Sequence, residues 1–178
     1  MIDRPLRALW WNYAEDAGYF ITICTGNYRK PYFGYIQDGK MNLTPTGLIA
    51  HACWHEIKQH AKNVTLGEFV VMPDHVHCIL VLKGNEEYVA VSDSQQATPW
   101  TYHQRCRNMG KNTVSSIIGS FKSAVTRLAH REGYEFKWQS RFWDHIIRND
   151  DQYDRITRYI YNNPRNWGRK KTRKHINN

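Results

Sequence analysis

Between residues 70 and 82 the chain reads V-V-M-P-D-H-V-H-C-I-L-V-L, its most apolar and β-branched run. Strand propensity favours the whole stretch, and Pro73-Asp74 interrupts it. Two strands are expected, over 68–72 and 75–82, joined by a very short turn. Side chains two apart on a strand share a face. His75 and His77 therefore stand side by side, while Val76 and Cys78 face the other way. Two imidazoles held in parallel on a rigid strand suit a metal ion or a phosphate. They equally fit ordinary packed or surface positions, so the rest of the chain must supply a use for them.

The pattern around this run is that of alternating strands and helices. Residues 18–25, G-Y-F-I-T-I-C-T, alternate as a first strand; 32–37 and 41–43 form a short hairpin about Asp38-Gly39. Thr44-Pro45 opens a helix to about Ala61, with Leu48, Ala52, Ile57 and Ala61 turned inward. His51, His55 and His60 on that helix read as ordinary surface or boundary residues. Residues 84–112 have few aliphatics and read as a long loop or insertion. A clear amphipathic helix covers 113–130, with Val114, Ile117, Ile118, Phe121, Val125 and Leu128 on one face. Residues 135–148 are extended and aromatic, and 149–163 form a last helix capped by Asn149 or Asp150 and ended by Pro164. Residues 165–174 hold six basic side chains in ten.

Without its last helix this order is β-α-β-β-α-β, the ferredoxin-like arrangement. The expectation is one α+β domain over 1–178, with a core of about 18–167 and a basic tail over 165–178. The histidine strand should lie inside an antiparallel sheet. A formal charge of +9 and a pI near 9.5 favour a polyanionic partner, most simply nucleic acid. Cys24, Cys53, Cys78 and Cys106 form no C-x-x-C pair, which argues against a zinc site or a disulfide framework. No run approaches membrane-spanning length, and the opening M-I-D-R-P-L-R lacks a secretory apolar core. A cytoplasmic protein without a membrane partner is expected.

The last helix carries R-Y-I-Y-N-N-P at 158–164. Tyr153, Ile156 and Ile160 cluster on one face at about 100° per residue. Tyr159 falls at the edge of that stripe and Asn163 between the two. One turn apart, the hydroxyl of Tyr159 and the amide of Asn163 can address one point; Tyr161 falls on the opposite flank. By itself Tyr159 also fits an amphipathic packing position.

Three ordered motifs now stand together: M-P-D-H-V-H at 72–77, W-Q-S-R-F-W-D-H-I-I-R at 138–148 and Y-I-Y-N-N-P at 159–164. The chain thereby resembles the single-tyrosine HUH transposases, which cut and rejoin single-stranded DNA. Within them it looks more like the REP-associated tyrosine transposase branch, where Asn-Pro follows the tyrosine as here. The resemblance spans about 18–167. It implies that His75 and His77 bind a metal, Mg²⁺ or Mn²⁺, and that Tyr159 is the nucleophile. The family's third metal ligand, four residues after the tyrosine, falls on Asn163, where insertion-sequence members often carry the longer Gln. It also implies a ferredoxin-like fold with the nucleophile on the extra C-terminal helix, and a single-stranded or hairpin DNA partner. Attack on phosphorus would give a covalent 5′-phosphotyrosine, in a monomer or a homodimer.

Lys122 and Arg127 on the second helix either face phosphate or form a plain solvated surface. Arg141, Arg148 and the tail residues Arg169, Lys170 and Lys171 are candidates to grip phosphates. Trp138 and Trp143 are candidates for base stacking, although tryptophan is more often core; the role of His145 is open. Two other readings are weighed. A histidine-triad nucleotide hydrolase would need a further histidine where Ile79 stands. A non-catalytic DNA-binding protein descended from a transposase would tolerate loss of His75, His77 or Tyr159, all of which are intact.

Overall fold

The computed structural model describes residues 17–27, 30–83 and 113–168. Expectations for the first sixteen residues, for 84–112 and for Arg169, Lys170 and Lys171 lie outside the described residues. The chain is α+β, an antiparallel sheet with helices, in the order β1 (Ala17–Cys24), β2 (Gly34–Gln37), β3 (Lys40–Leu43), α1 (Pro45–His60), β4 (Val64–Val71), β5 (His75–Leu82), α2 (Val114–Arg131), β6 (Trp143–Ile147) and α3 (Asp150–Asn166). The main sheet runs β4-β5-β1-β6, and β2-β3 form a separate hairpin. The histidine strand β5 is therefore internal.

Local chemistry explains most boundaries. At the β2-β3 turn Asp38 and Gly39 both have positive φ, 52° and 71°, which Gly and Asp tolerate and which matches the strand twist. Thr44 caps α1 by accepting from the Gly47 backbone N–H at 3.2 Å, with Pro45 in the first turn. Thr113 and Ser116 close a reciprocal capping box at the start of α2. Asn149 caps α3 by accepting from the Gln152 N–H at 2.9 Å.

One face of the sheet carries Tyr19, Ile21, Ile23, Val76, Cys78, Leu80 and Leu82, which form the main core with α1 and α2. The other face carries His77 and Ile79 of β5 with Phe20 and Thr22 of β1, set opposite one another in register. Here α3 covers the sheet. Ile79 and Ile160 are fully buried yet stand outside the main core cluster, so α3 closes a second, smaller layer.

Four expectations need correction. On α1 the buried side chains include Ala50, Cys53, Trp54 and Ile57, whereas Leu48 is 58% exposed and Ala52 is exposed too. Trp54 decides this: it stacks on Phe69 of β4 at 4.8 Å and turns its own side of the helix inward. The strand before the turn begins at Val64, not at 68, because a bulge between Leu66 and Phe69 lets pairing with β5 resume on both sides. Of 135–148 only Trp143–Ile147 is a strand, with one further bridge between Thr25 and Trp138. Finally, α3 runs through Pro164 to Asn166. A proline in the last turn forgoes one backbone hydrogen bond, and the helix continues where most of its carbonyls would lose intrahelical donors in any case.

Candidate functional site

The two histidines of β5 share the α3-covered face, and their Nε2 atoms stand 3.1 Å apart. Each ring is held from behind. His75 Nδ1 donates to Asp74 Oδ1 at 2.6 Å, and His77 Nδ1 is 2.8 Å from the Thr22 hydroxyl. Thr22 is the β1 residue directly opposite His77. His77 is buried, and Phe20 packs against its ring at 5.3 Å. Rings anchored at Nδ1 expose Nε2, the usual arrangement for imidazoles that ligate a cation.

Tyr159 of α3 reaches the same point. Its Oη lies 3.4 Å from His77 Nε2, and its ring meets Phe20 edge-on at 5.9 Å. At 39% exposure it is open to solvent on one side. Tyr161 instead is 64% exposed with Arg165 5.9 Å from its ring, on the far flank as its helical angle requires. Asn163, half-buried, follows one turn beyond Tyr159. Trp167, at the helix end, brings its ring to 5.9 Å from that of His75.

Gly67 in the β4 bulge lies under α3. A Cβ there would stand 2.8 Å from Tyr153 Oη of the helix and 2.9 Å from Ile79 Cβ of the neighbouring strand, so a side chain would have to displace the tyrosine hydroxyl and crowd Ile79.

The donor set fits a divalent cation. A separation of 3.1 Å between the two Nε2 atoms is close to the edge of an octahedron whose ligands sit at roughly 2.1 Å, about 3 Å. Among the described residues no group of three or more His, Cys, Asp or Glu could hold a metal ion. A third protein donor would be of another type, such as the amide oxygen of Asn163.

The basic candidates are dispersed. Lys122 donates to the carbonyls of Gln139 at 2.7 Å and Ser140 at 3.1 Å, and burial lowers its pKa. It ties α2 to the following segment. Arg127 lines a cleft of about 520 Å³ with Ser123 and Lys137 on the α2 side of the sheet, away from the histidines. Arg141 and Trp143 line a second cleft of about 490 Å³. Arg148 is exposed just after β6. Of the two tryptophans, Trp138 packs on Phe33, Phe121 and Phe136 within 6 Å and donates Nε1–H to the Lys122 carbonyl at 3.1 Å. It is a packing residue. Trp143 is 59% exposed and stands opposite Thr22 in register, hence on the face of His77.

Sequence reasoning did not single out Thr22, Phe20 and Asp74. Thr22 carried a signal, as the polar position between Ile21 and Ile23 in an apolar strand; Phe20 carried none until its pairing was known. Cys24, Cys53 and Cys78 are free thiols whose pKa values burial raises. No helix of the described residues is long and apolar enough to cross a membrane.

Comparison with known proteins gives three relatives. An uncharacterized protein of Haemophilus influenzae is 33% identical over 166 residues, covering 92% of this chain and 89% of the relative. A second H. influenzae protein, provisionally named a REP-associated tyrosine transposase, is 31% identical over 156 residues, 86% of this chain and 73% of its own length. The REP-associated tyrosine transposase of Escherichia coli is 28% identical over 152 residues, 85% of this chain and 68% of its own. A solved structure, described as the REP-associated tyrosine transposase bound to a REP hairpin, matches with a TM-score of 0.59 at 24% identity, over 89% of this chain and 72% of that one. That likeness shows the fold. No family model matches.

Proposed function

This chain belongs to the REP-associated tyrosine transposase family, and from that premise we propose that it cleaves and rejoins single-stranded DNA at hairpin or repeat sequences. The observation that carries the reading is the 3.4 Å approach of Tyr159 Oη to the Nε2 atom of His77, itself paired with His75. The strand order β4-β5-β1-β6 supports a ferredoxin-like domain with the nucleophile on the added helix α3.

In this mechanism His75, His77 and Asn163 would hold Mg²⁺ or Mn²⁺, and the ion, when bound, would supply positive charge to polarise the scissile phosphate. Asp74 and Thr22 keep the imidazoles turned so that both Nε2 lone pairs face the same point. Free tyrosine is a poor nucleophile near neutral pH, its pKa being near 10, so placement of its oxygen in line with the phosphate matters most. Tyr159 Oη bonds to phosphorus, the bond from phosphorus to the 3′ oxygen breaks, and the phenolic hydrogen ends, net, on the departing 3′-OH. The 5′-phosphotyrosine preserves the energy of the broken phosphodiester, so a different 3′-OH can reverse the step and transfer the strand.

The partner is a DNA hairpin with a single-stranded flank, as the solved relative's description and the net charge of +9 support. Trp143 offers an exposed ring for base stacking beside the histidines. Arg141, Arg148 and the tail residues Arg169, Lys170 and Lys171 contact phosphates. The protein acts in the cytoplasm, as a monomer with the tyrosine in cis or as a homodimer.

The test incubates a labelled hairpin, taken from inverted repeats flanking the gene, with protein and Mn²⁺ on a denaturing gel. A covalent adduct is expected from the native protein and from Tyr161→Phe, but not from Tyr159→Phe or with chelator present. An adduct persisting in Tyr159→Phe would overturn the nucleophile assignment. Hairpin binding with no adduct from the native protein would favour a binding module without chemistry.

A further inference from the structure

We propose that His145 and Gln152 form a clasp between β6 and α3 that sets the rotation of the helix and so aims Tyr159; the inference rests on the function proposed above. His145 is the β6 residue opposite Phe20, which places it on the α3-covered face, one row from that of His77. Its Nε2 lies 2.6 Å from Gln152 Nε2. The amide orientation of Gln152 follows from its other contact, since Oε1 accepts from the Arg148 backbone N–H at 2.8 Å. The NH₂ group is thereby left to donate, and His145 Nε2 to accept. Gln152 also gives its backbone N–H to the Asn149 cap. One side chain thus joins the sheet edge, the strand end and the first turn of α3.

Helix geometry carries this to the nucleophile. Tyr159 is seven residues beyond Gln152, two turns or about 10 Å along the axis and within roughly 20° of the same direction. His145 and Phe20 share a row with Ile79, and His77 stands in the next row on the same face, opposite Thr22. Phe20 links the two rows, because it packs against the rings of both His77 and Tyr159. The clasp matters because α3 has one buried side chain, Ile160. The rest of its inner face is only partly buried, with Tyr153 at Gly67 and Tyr159 on Phe20 among its contacts. A polar tether two turns from Tyr159 restricts the roll of the helix further. His145 and Gln152 are positioning residues: they act through the placement of Tyr159 and touch neither the histidine pair nor the reacting atoms.

The experiment compares His145→Ala, Gln152→Ala, their double variant and His145→Gln, which keeps an acceptor of similar reach. Backbone hydrogen exchange across α3 is measured without DNA, and adduct formation is measured in single turnover at saturating hairpin and Mn²⁺. Each alanine variant is expected to speed exchange in α3 but not in β5, and to slow adduct formation about 10- to 100-fold, the scale of a nucleophile misplaced by an ångström or so. Hairpin Kd should stay within about threefold. The double variant should be no slower than either single one, and His145→Gln should recover most of the rate. Weakened Kd with an unchanged saturated rate would make His145 a DNA contact and overturn the proposal. So would single effects that multiply in the double variant. If the native protein forms no adduct, the proposed chemistry fails, while exchange in α3 still decides whether the clasp exists.

Discussion

The Thr22 hydroxyl lies 2.8 Å from His77 Nδ1, across the β1–β5 register that sets the two residues opposite each other. A hydroxyl can donate or accept, so it suits either tautomer of His77. With His75 Nδ1 donating to Asp74, a neutral His75 has only a lone pair at Nε2. Its 3.1 Å contact then requires the proton on His77 Nε2, and Thr22 donates to Nδ1. A cation bound to both Nε2 atoms would require the proton of His77 on Nδ1, with Thr22 then accepting.

Thr22→Val should therefore weaken Mn²⁺ binding about 10- to 100-fold, the usual cost of removing a partner that orients a ligating histidine. Asp74→Asn should fall in the same range. Calorimetric titration of Mn²⁺ into each variant checks this, and affinities equal to the native protein's would refute the assigned roles.

If Asn163 completes the ligand set, Asn163→Ala should weaken Mn²⁺ binding by at least about tenfold, as for the supporting residues. Asn163→Gln, whose amide reaches one methylene further, should bind at least as well as Asn163→Ala and retain adduct formation. Unchanged affinity in Asn163→Ala would remove this residue from the site.

The two tryptophans should respond in opposite ways. Trp143→Ala should weaken single-stranded DNA binding by about 1–3 kcal/mol, the scale of one stacked base, with little change in urea midpoint. Trp138→Ala, which empties an aromatic cluster, should cost roughly 3–5 kcal/mol of stability. Fluorescence anisotropy and urea denaturation on both variants separate the effects.

Ile160→Ala should destabilise by about 2–5 kcal/mol, because the side chain is fully buried under α3. Leu48→Ala, at an equally aliphatic but 58% exposed position, should stay within about 0.5 kcal/mol. Equal effects in the two variants would contradict the burial pattern.

Period and punctuation in the chain by themselves determined the α+β alternation, the Asp38-Gly39 turn, the cap at Thr44, a cap at Asn149 or Asp150, the pairing of His75 with His77 on one face, and the separation of Tyr159 and Tyr161 on different flanks of their helix. All of these follow from contacts within a few residues, where spacing and propensity are direct readouts of geometry. Tertiary structure alone decided which side of α1 is buried, since Trp54 needed Phe69 to stack on. It decided that Trp138 is packed while Trp143 is open, and that Thr22, 55 residues from His77, stands behind its ring. The histidine pair, the tyrosine and the clasp meet because β1 lies between β5 and β6 and α3 packs across the sheet face they share. Strand order and helix approach are set by packing between distant segments, and no local pattern encodes them.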